Sequence, residues 1–139
     1  MIVAITDADE VILVEQYRVP LGRRCLELPA GLVGDEDADE PLLDAANREL
    51  EEETGYRAAA VEPVGFFHSS PGMVTEGFTL VRATGLEKVG PGGGTDDEAI
   101  EVHLVPRADV PAFVAAKRAA GVAIDVKMLL LLAGDVLGD

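Results

Sequence analysis

Two short β-branched runs, "IVAIT" and "VILVEQY", flank the acidic turn "DADE" at the start of the chain. Runs of this length bounded by turn residues predict a β-hairpin. Pro20 and Gly22 interrupt the pattern before "CLEL", a third strand. From Asp35 to Asp39 the chain is polar and acidic, with Asp39 a candidate N-cap, and Pro41 suits the first turn of a helix, where its missing N–H does no harm. Leu43, Ala46 and Leu50 recur at i, i+3 and i+7. That spacing predicts an amphipathic helix to about Thr54, with Gly55 as its stop.

Further along, "AAAVEPVGFF" and "GFTLVRAT" read as strands separated by the loop "HSSPGMVTE", and "IEVHLV" as another strand. Between them "GPGGGTDDEA" is rich enough in glycine to predict a mobile loop. Residues 109–120 and 124–137 read as two helices separated by Gly121. There is no internal repeat and no linker suited to a second unit, so one domain over residues 1–139 is expected. The order of elements predicts an α/β class, a mixed sheet sandwiched between helices.

Composition narrows the functions. A chain of 139 residues is long enough to bury a core, and its formal charge of -15 comes without clusters of Lys or Arg. That excludes a nucleic-acid backbone as partner and favours divalent cations. The single cysteine, Cys25, rules out an internal disulfide framework and makes a reducing cytoplasm the default compartment. The first residues carry neither a basic segment nor a long apolar one, so no signal peptide is expected. The longest apolar run, "MLLLLAG" from Met128, falls short of the roughly 20 residues that span a bilayer. It reads as a buried helix or a subunit contact, and no membrane partner is expected.

The stretch "RELEEETGY" from Arg48 concentrates negative charge as Glu49, Glu51, Glu52 and Glu53. Residues three and four apart share a helix face, so Glu49, Glu52 and Glu53 converge and Glu51 points away. Bunched carboxylates raise one another's pKa unless something positive sits among them. Mg²⁺ or Mn²⁺ does this with oxygen ligands, including carboxylates, waters and substrate phosphate. The alternative is a solvated acidic helix face.

The flanking residues decide between the two. Gly34 is followed after five residues by Glu40, then after seven by Arg48-Glu49-Leu50, and then by Glu52-Glu53 and Gly55-Tyr56. This resembles the Nudix box, G-x5-E-x7-R-E-U-x-E-E-x-G-U with U a bulky apolar residue, at every fixed position over residues 34–56. Chance agreement at ordinary amino-acid frequencies has odds on the order of one in ten million. Gly34 and Gly55 permit backbone conformations that side chains obstruct, and Arg48 can grip a carboxylate such as Glu40 through a forked hydrogen bond. The resemblance implies a Nudix fold, Glu49 and Glu53 as metal ligands, and Glu52 as a further ligand or orienting group, with Leu50 anchoring the helix.

Three flanks resemble the ADP-ribose pyrophosphatase branch, which includes nucleoside-diphosphate-sugar hydrolases. In "LELPAGL", residues 26–32, the branch uses the backbone carbonyl at the Ala30 position as a metal ligand; the plain alternative is a strand end and a turn. Pro71 in "SPG" stands sixteen residues after Gly55, a spacing associated with the branch, although any turn could hold a proline. It is followed by Glu76, where relatives carry an acid near substrate. "TDDEAIEVHLVP" resembles a mobile loop whose acid at Glu98 contacts metal. The acid two positions earlier, Asp96 here but more often Glu in the family, orients water. Gly92 to Gly94 would let this loop close over substrate, and a disordered acidic loop is the alternative. Arg18 occupies the place where relatives use arginine against the diphosphate, or is simply an exposed strand-end arginine. His68 and His103 read as structural, Cys25 as a small buried residue, and Tyr17, Phe66 and Phe67 as the few aromatic rings a base could stack on.

The resemblance therefore implies Mg²⁺-dependent attack of water on a phosphoanhydride. The implied substrate is ADP-ribose or a related nucleoside-diphosphate sugar, and the products are a nucleoside monophosphate and a sugar phosphate. Alternatives with the same box are a hydrolase of nucleoside triphosphates or dinucleoside polyphosphates and a non-catalytic nucleotide-sugar sensor. The branch commonly has an N-terminal strand segment that builds the dimer and the adenosine pocket, whereas here Met1 leads directly into the first strand. Adenine specificity is then open, and a homodimer is expected to use another surface, such as the leucine-rich final segment.

Overall fold

The computed structural model describes residues 1–31, 40–95 and 97–138. The strands are β1 (Ile2–Ala4), β2 (Glu10–Arg18), β3 (Arg23–Glu27), β4 (Tyr56–His68), β5 (Gly77–Lys88), β6 (Glu101–Pro106) and β7 (Ala123–Ile124). The α-helices are α1 (Leu42–Thr54), α2 (Val110–Ala119) and α3 (Ala133–Leu137). Two mixed sheets form, with strand orders β1-β5-β4 and β6-β2-β3-β7. The class is α/β with mixed pairing, as the element order predicts, and the strands divide between two sheets.

β2 explains the layering. Its residues from Val11 to Gln16 are all buried, so both faces of the strand are covered. Side chains alternate across a strand. Val11 and Leu13 therefore join Leu26, Val105, Val110, Val114 and Met128 in a core under α2, while Ile12 joins Ile2, Leu50, Ala58, Val81 and Ala83 in a second core under α1. The same alternation sends Glu15 to the α2 side and Gln16 and Arg18 to the α1 side, so the pleat decides which polar groups can meet.

Three elements differ from the sequence expectation. The N-terminal hairpin does not form as a paired unit: β1 pairs in parallel with β5, Ile2 opposite Val81, and a single bridge from Ile5 to Val11 is the remnant of pairing with β2. Ile2 and Ala4 are buried with Val81 and Ala83 in one core, whereas an isolated two-stranded ribbon is marginal in water. The expected helix over 124–137 is also broken up. Ile124 is taken into a parallel pair with Leu26, the Asp125 N–H donates to the Leu26 carbonyl, and Asp125 then caps a 3-10 turn over Val126–Leu130. Within that segment Met128 and Leu132 are buried, and Leu129 and Leu130 stay about half exposed.

Helix α1 begins after Pro41, whose carbonyl accepts from the Ala45 N–H. The expected N-cap, Asp39, lies outside the described residues, as does Gly34. Its buried face is Ala45, Leu50, Glu53 and Thr54, whereas Leu43 is turned out to solvent, contrary to the simple i, i+3, i+7 reading. Gly55 ends the helix in the left-handed conformation at φ 75°, its N–H donating to the Glu51 carbonyl, as a C-terminal glycine should. Leu50 is the apolar anchor of α1. Leu50→Ala should lower unfolding free energy by about 2–5 kcal/mol, read from the denaturant midpoint at unchanged slope. A loss under about 1 kcal/mol would show that α1 is held by something other than this contact.

Candidate functional site

Between the two sheets and α1 lies a cavity of about 920 Å³, lined by Gln16, Arg18, Cys25, Glu27, Ala30, Gly31, Glu49, Glu53, Phe66, Glu76, Phe78, Glu98, Asp125 and Lys127 among others. The helix contributes Glu49 and Glu53, one turn apart on the inward face. Glu53 is 5% exposed. Its Oε2 accepts from the Ala30 N–H at 3.0 Å, and no cationic side chain among the described residues pairs with it. Burial pushes its carboxyl up to about 8 despite that hydrogen bond, and the neighbouring charges of Glu49, Glu98 and Glu27 push the same way. Glu49 is raised too, first by burial, with Arg48 opposing and Glu52 and Glu98 adding to it. A Cβ on Gly31 would overlap the Glu49 side chain, so the strand-to-helix link needs glycine where the carboxylate passes over it.

Arg48 sits at the rim. Its Nε and Nη2 donate to the two Glu40 oxygens, each at 3.1 Å, forming a fork, and Nη1 lies 3.2 Å from Glu49 and 3.3 Å from Glu52. Among the described residues, one guanidinium thus spaces Glu40, Glu49 and Glu52. Glu52 is held on Arg48 and does not line the cavity, so its position suits an orienting group better than a direct ligand. Glu51 faces away and pairs with Arg57.

The glycine-rich segment before Glu98 packs against the end of α1. Gly93 and Gly94 N–H groups donate to the Glu53 and Glu52 carbonyls at 2.8 and 3.0 Å, and Val89 and Gly90 donate to Gly55. A Cβ on Gly92 would strike the Thr54 backbone, and one on Gly55 would strike Gly90. These glycines let two backbones touch and satisfy carbonyls at the end of α1 that would otherwise face a crowded negative site. Beyond them, Glu98 folds back so that its Oε2 accepts from the Thr95 N–H at 2.8 Å. Asp96 lies outside the described residues.

Of the remaining expected residues, Arg18 and Glu76 fall on the same cavity. Arg18 reaches it with its guanidinium clamped by Glu27, and Glu76 accepts from the Ser69 hydroxyl at 2.6 Å at the end of the β4–β5 ribbon. Phe66 also lines it, while Tyr17 and Phe67 do not. Three charged side chains lining the cavity were not singled out from sequence: Glu27, Asp125 and Lys127. Glu27 could have been found from strand alternation, since it shares a face with Cys25. Lys127 could not, because its segment reads as helix. Its Nζ contacts Asp125 at 2.8 Å and stands 5.6 Å from the centroid of the Phe78 ring.

The donor set fits an oxygen-seeking divalent cation. Glu49, Glu53, Glu98 and the Ala30 backbone offer hard oxygens in a partly dry site, and the raised carboxyl of Glu53 marks a charge deficit that a cation would fill. A different trio, Glu15, Glu101 and His103, brings its ligand atoms within 4.8 Å of one another on the far face. That group is an ion-pair network instead. Lys117 and Arg24 already contact Glu15 at 2.6 and 2.7 Å, and although burial opposes it, the hydrogen bonds from Lys117, Arg24 and His103 bring its carboxyl down to about 2. His103 takes part in this network through Glu15. Cys25 is buried and its thiol pushed up to about 12, chiefly by burial, which leaves it inert.

Comparison with known proteins matches residues 1–127 to the NUDIX domain. Curated relatives include a methanol dehydrogenase activator of Bacillus methanolicus, 40% identical over 97 residues, 70% of this chain and 51% of the relative. An ADP-ribose pyrophosphatase of Bacillus subtilis (strain 168) is 44% identical over 54% of this chain and 39% of its own length. A GDP-mannose pyrophosphatase of Cronobacter sakazakii is 38% identical over 88% of this chain and 64% of its own. The chain thus spans less than two thirds of the curated relatives named here. A crystal structure of an ADP compounds hydrolase superposes with a TM-score of 0.71 at 25% identity, covering 99% of this chain and 71% of that one.

The raised carboxyl yields a pH signature. Between the ordinary carboxyl value of 4.5 and about 8, the native state binds more protons at Glu53 than the unfolded chain does. This group's contribution to stability is therefore most favourable below the lower value, falls as pH rises through the interval and levels off above it. In chelator, wild-type unfolding free energy minus that of Glu53→Gln should decrease from pH 5 to pH 8. A pH-independent difference would mean that Glu53 is ionised throughout.

Proposed function

We propose, on the premise that this chain belongs to the Nudix family, that its cavity hydrolyses the phosphoanhydride of ADP-ribose or a related nucleoside-diphosphate sugar, giving a nucleoside monophosphate and a sugar phosphate. The observation that carries the reading is the convergence of buried Glu53 and half-buried Glu49, which repel each other, with Glu98, on a cavity that also presents Arg18 and Lys127. Acid alone would repel a diphosphate, and cations alone would not activate water. The cavity offers a place for both. The names of the pyrophosphatase relatives support the substrate class, and the span of the match supports the fold.

Mg²⁺, or Mn²⁺, would be held by Glu49, Glu53, Glu98 and the Ala30 carbonyl. When bound it neutralises phosphate oxygens and makes coordinated water more acidic. The protein's own contributions are separable. Ala30 N–H fixes one Glu53 oxygen, leaving the other to face the cavity, and Arg48 keeps Glu49 from swinging away by holding it against Glu40. Arg18 and Lys127 orient the diphosphate, and Phe66 and Phe78 offer ring faces to the rest of the substrate. The family resemblance assigns the water-orienting base to Asp96, and Glu98 and Glu76 are the alternative candidates for that role.

A panel of nucleotide sugars, dinucleoside polyphosphates and nucleoside triphosphates, with product analysis and divalent-ion titration, tests the reading. Nucleoside-diphosphate sugars should lead in kcat/KM. A preference of more than ~10-fold for triphosphates, about 1.4 kcal/mol of transition-state binding, would overturn it. Glu53→Gln should lower kcat by several orders of magnitude while the fold is kept, because it relieves repulsion as it removes a ligand charge. Asp96→Asn should lower kcat with little change in KM, and an unchanged kcat would pass the role of base to Glu98 or Glu76.

A further inference from the structure

β2 and β3 are antiparallel, with Arg18 opposite Arg23 and Val14 opposite Glu27. Arg18 and Glu27 therefore stand four register positions apart, roughly 13 Å along the strands. To meet, the arginine side chain must lie back along the sheet, over the face it shares with Gln16 and Cys25. That face is the cavity wall. The contact made there is two-pointed: Nε donates to Glu27 Oε1 and Nη2 to Oε2, both at 2.7 Å. Nη1 makes no hydrogen bond to a described residue. Glu27 is 7% exposed, so the guanidinium and not water satisfies its carboxylate.

Such a clamp does two things. It cancels the arginine's net charge, so Arg18 adds little general attraction for anions. It also fixes the plane of the guanidinium, because two parallel bonds to one carboxylate leave no free rotation. What Arg18 then supplies is direction. Without the clamp, Glu53 is an alternative anion, since it already interacts electrostatically with Arg18.

From this arrangement we infer that Glu27 is a positioning residue: its two-point grip aims the free Nη1 hydrogens of Arg18 at a phosphoryl oxygen of the bound diphosphate and keeps the guanidinium off Glu53. The inference rests on the reading of the cavity as a diphosphate site. Glu27 also adds to the negative charge around Glu53, and the inference requires that its effect on turnover run through Arg18. A lysine at position 18 cannot be gripped at two points, so the benefit of Glu27 must vanish with it.

The test pairs kinetics on the full chain with side-chain ¹⁵N NMR of Arg18, using inorganic pyrophosphate with Mg²⁺ as probe. In wild type, pyrophosphate should shift the Nη1 resonance and leave Nε in place. Glu27→Gln should move the Nε resonance in the free protein and abolish the selective Nη1 response. With ADP-ribose, Glu27→Gln should lower kcat about 10- to 100-fold, the range of one charge-assisted hydrogen bond, with a much smaller change in KM. Glu27→Asp keeps the charge but shortens the arm, and should lose kcat while melting within a few degrees of wild type. Arg18→Lys should lose a similar factor, and adding Glu27→Gln to it should cost nothing further. Multiplicative losses in the double variant, or an Nη1 response that survives Glu27→Gln, would overturn the inference. If wild type turns over no nucleotide sugar yet pyrophosphate still shifts Nη1, the substrate reading fails and the positioning role stands. A wild-type Nη1 signal that pyrophosphate leaves unmoved ends the positioning role whatever the turnover.

Discussion

A carboxylate buried at the C-terminal end of a helix, beside other carboxylates, is an unfavourable arrangement, and the architecture around α1 consists largely of what makes it tolerable. Glu53 is buried near the negative end of the helix dipole, where an anion is least welcome. One backbone N–H, from Ala30, holds it. The Gly93 and Gly94 N–H groups take up the last helix carbonyls, Arg48 spaces the charges at the rim, and Leu50 and Ala45 bury the face that keeps the helix in place. None of these supplies a positive charge to Glu53 itself. The missing charge is what the site offers to a cation.

Glu15 is a second carboxylate with little solvent exposure, on the opposite face of the β2–β3 sheet. Glu53 and Glu15 are buried to a similar degree, and they are shifted in opposite directions, to about 8 and about 2. Burial pushes both up. The difference lies in what surrounds each: Lys117, Arg24 and His103 close around Glu15 and complete its charge balance, whereas Glu53 meets Glu49, Glu98 and Glu27. The strand pleat of β2 and β3 keeps the two environments apart. Glu15 and Arg24 face α2, while Gln16, Arg18, Cys25 and Glu27 face the cavity. A one-residue slip in register would exchange them.

Much of the acidic site is legible in sequence because it is local. Glu49 and Glu53 are one helical turn apart, so a helix alone brings them to one face, and Glu51 is turned away by the same geometry. Arg48 and Glu40 flank the start and middle of that helix, and their fork follows from short reach. Gly55 as helix stop follows from its conformational freedom. What failed to be legible involves partners far along the chain. The first strand prefers Val81 to its sequence neighbour, Ile124 is drawn into pairing with Leu26, and the glycines of the 90–94 segment serve close backbone contact with the end of α1. Local pattern reads the first two as a hairpin and a helix and does not foretell the glycine contacts, since nothing in the local residues reports the distant surface that they meet.

By itself, the sequence determined the helix that carries the glutamates, the face they share, the α/β class and the Nudix box, because each depends on spacing over a few turns of chain or on the order of elements. Tertiary structure alone decided that Glu27 would clamp Arg18, that Lys127 would enter the cavity from a segment that reads as helix, and that Glu15 rather than Glu53 would receive the cations. The physical reason is that electrostatic environment depends on distance in space and on burial, and both are set only when strands separated by many residues commit to a register.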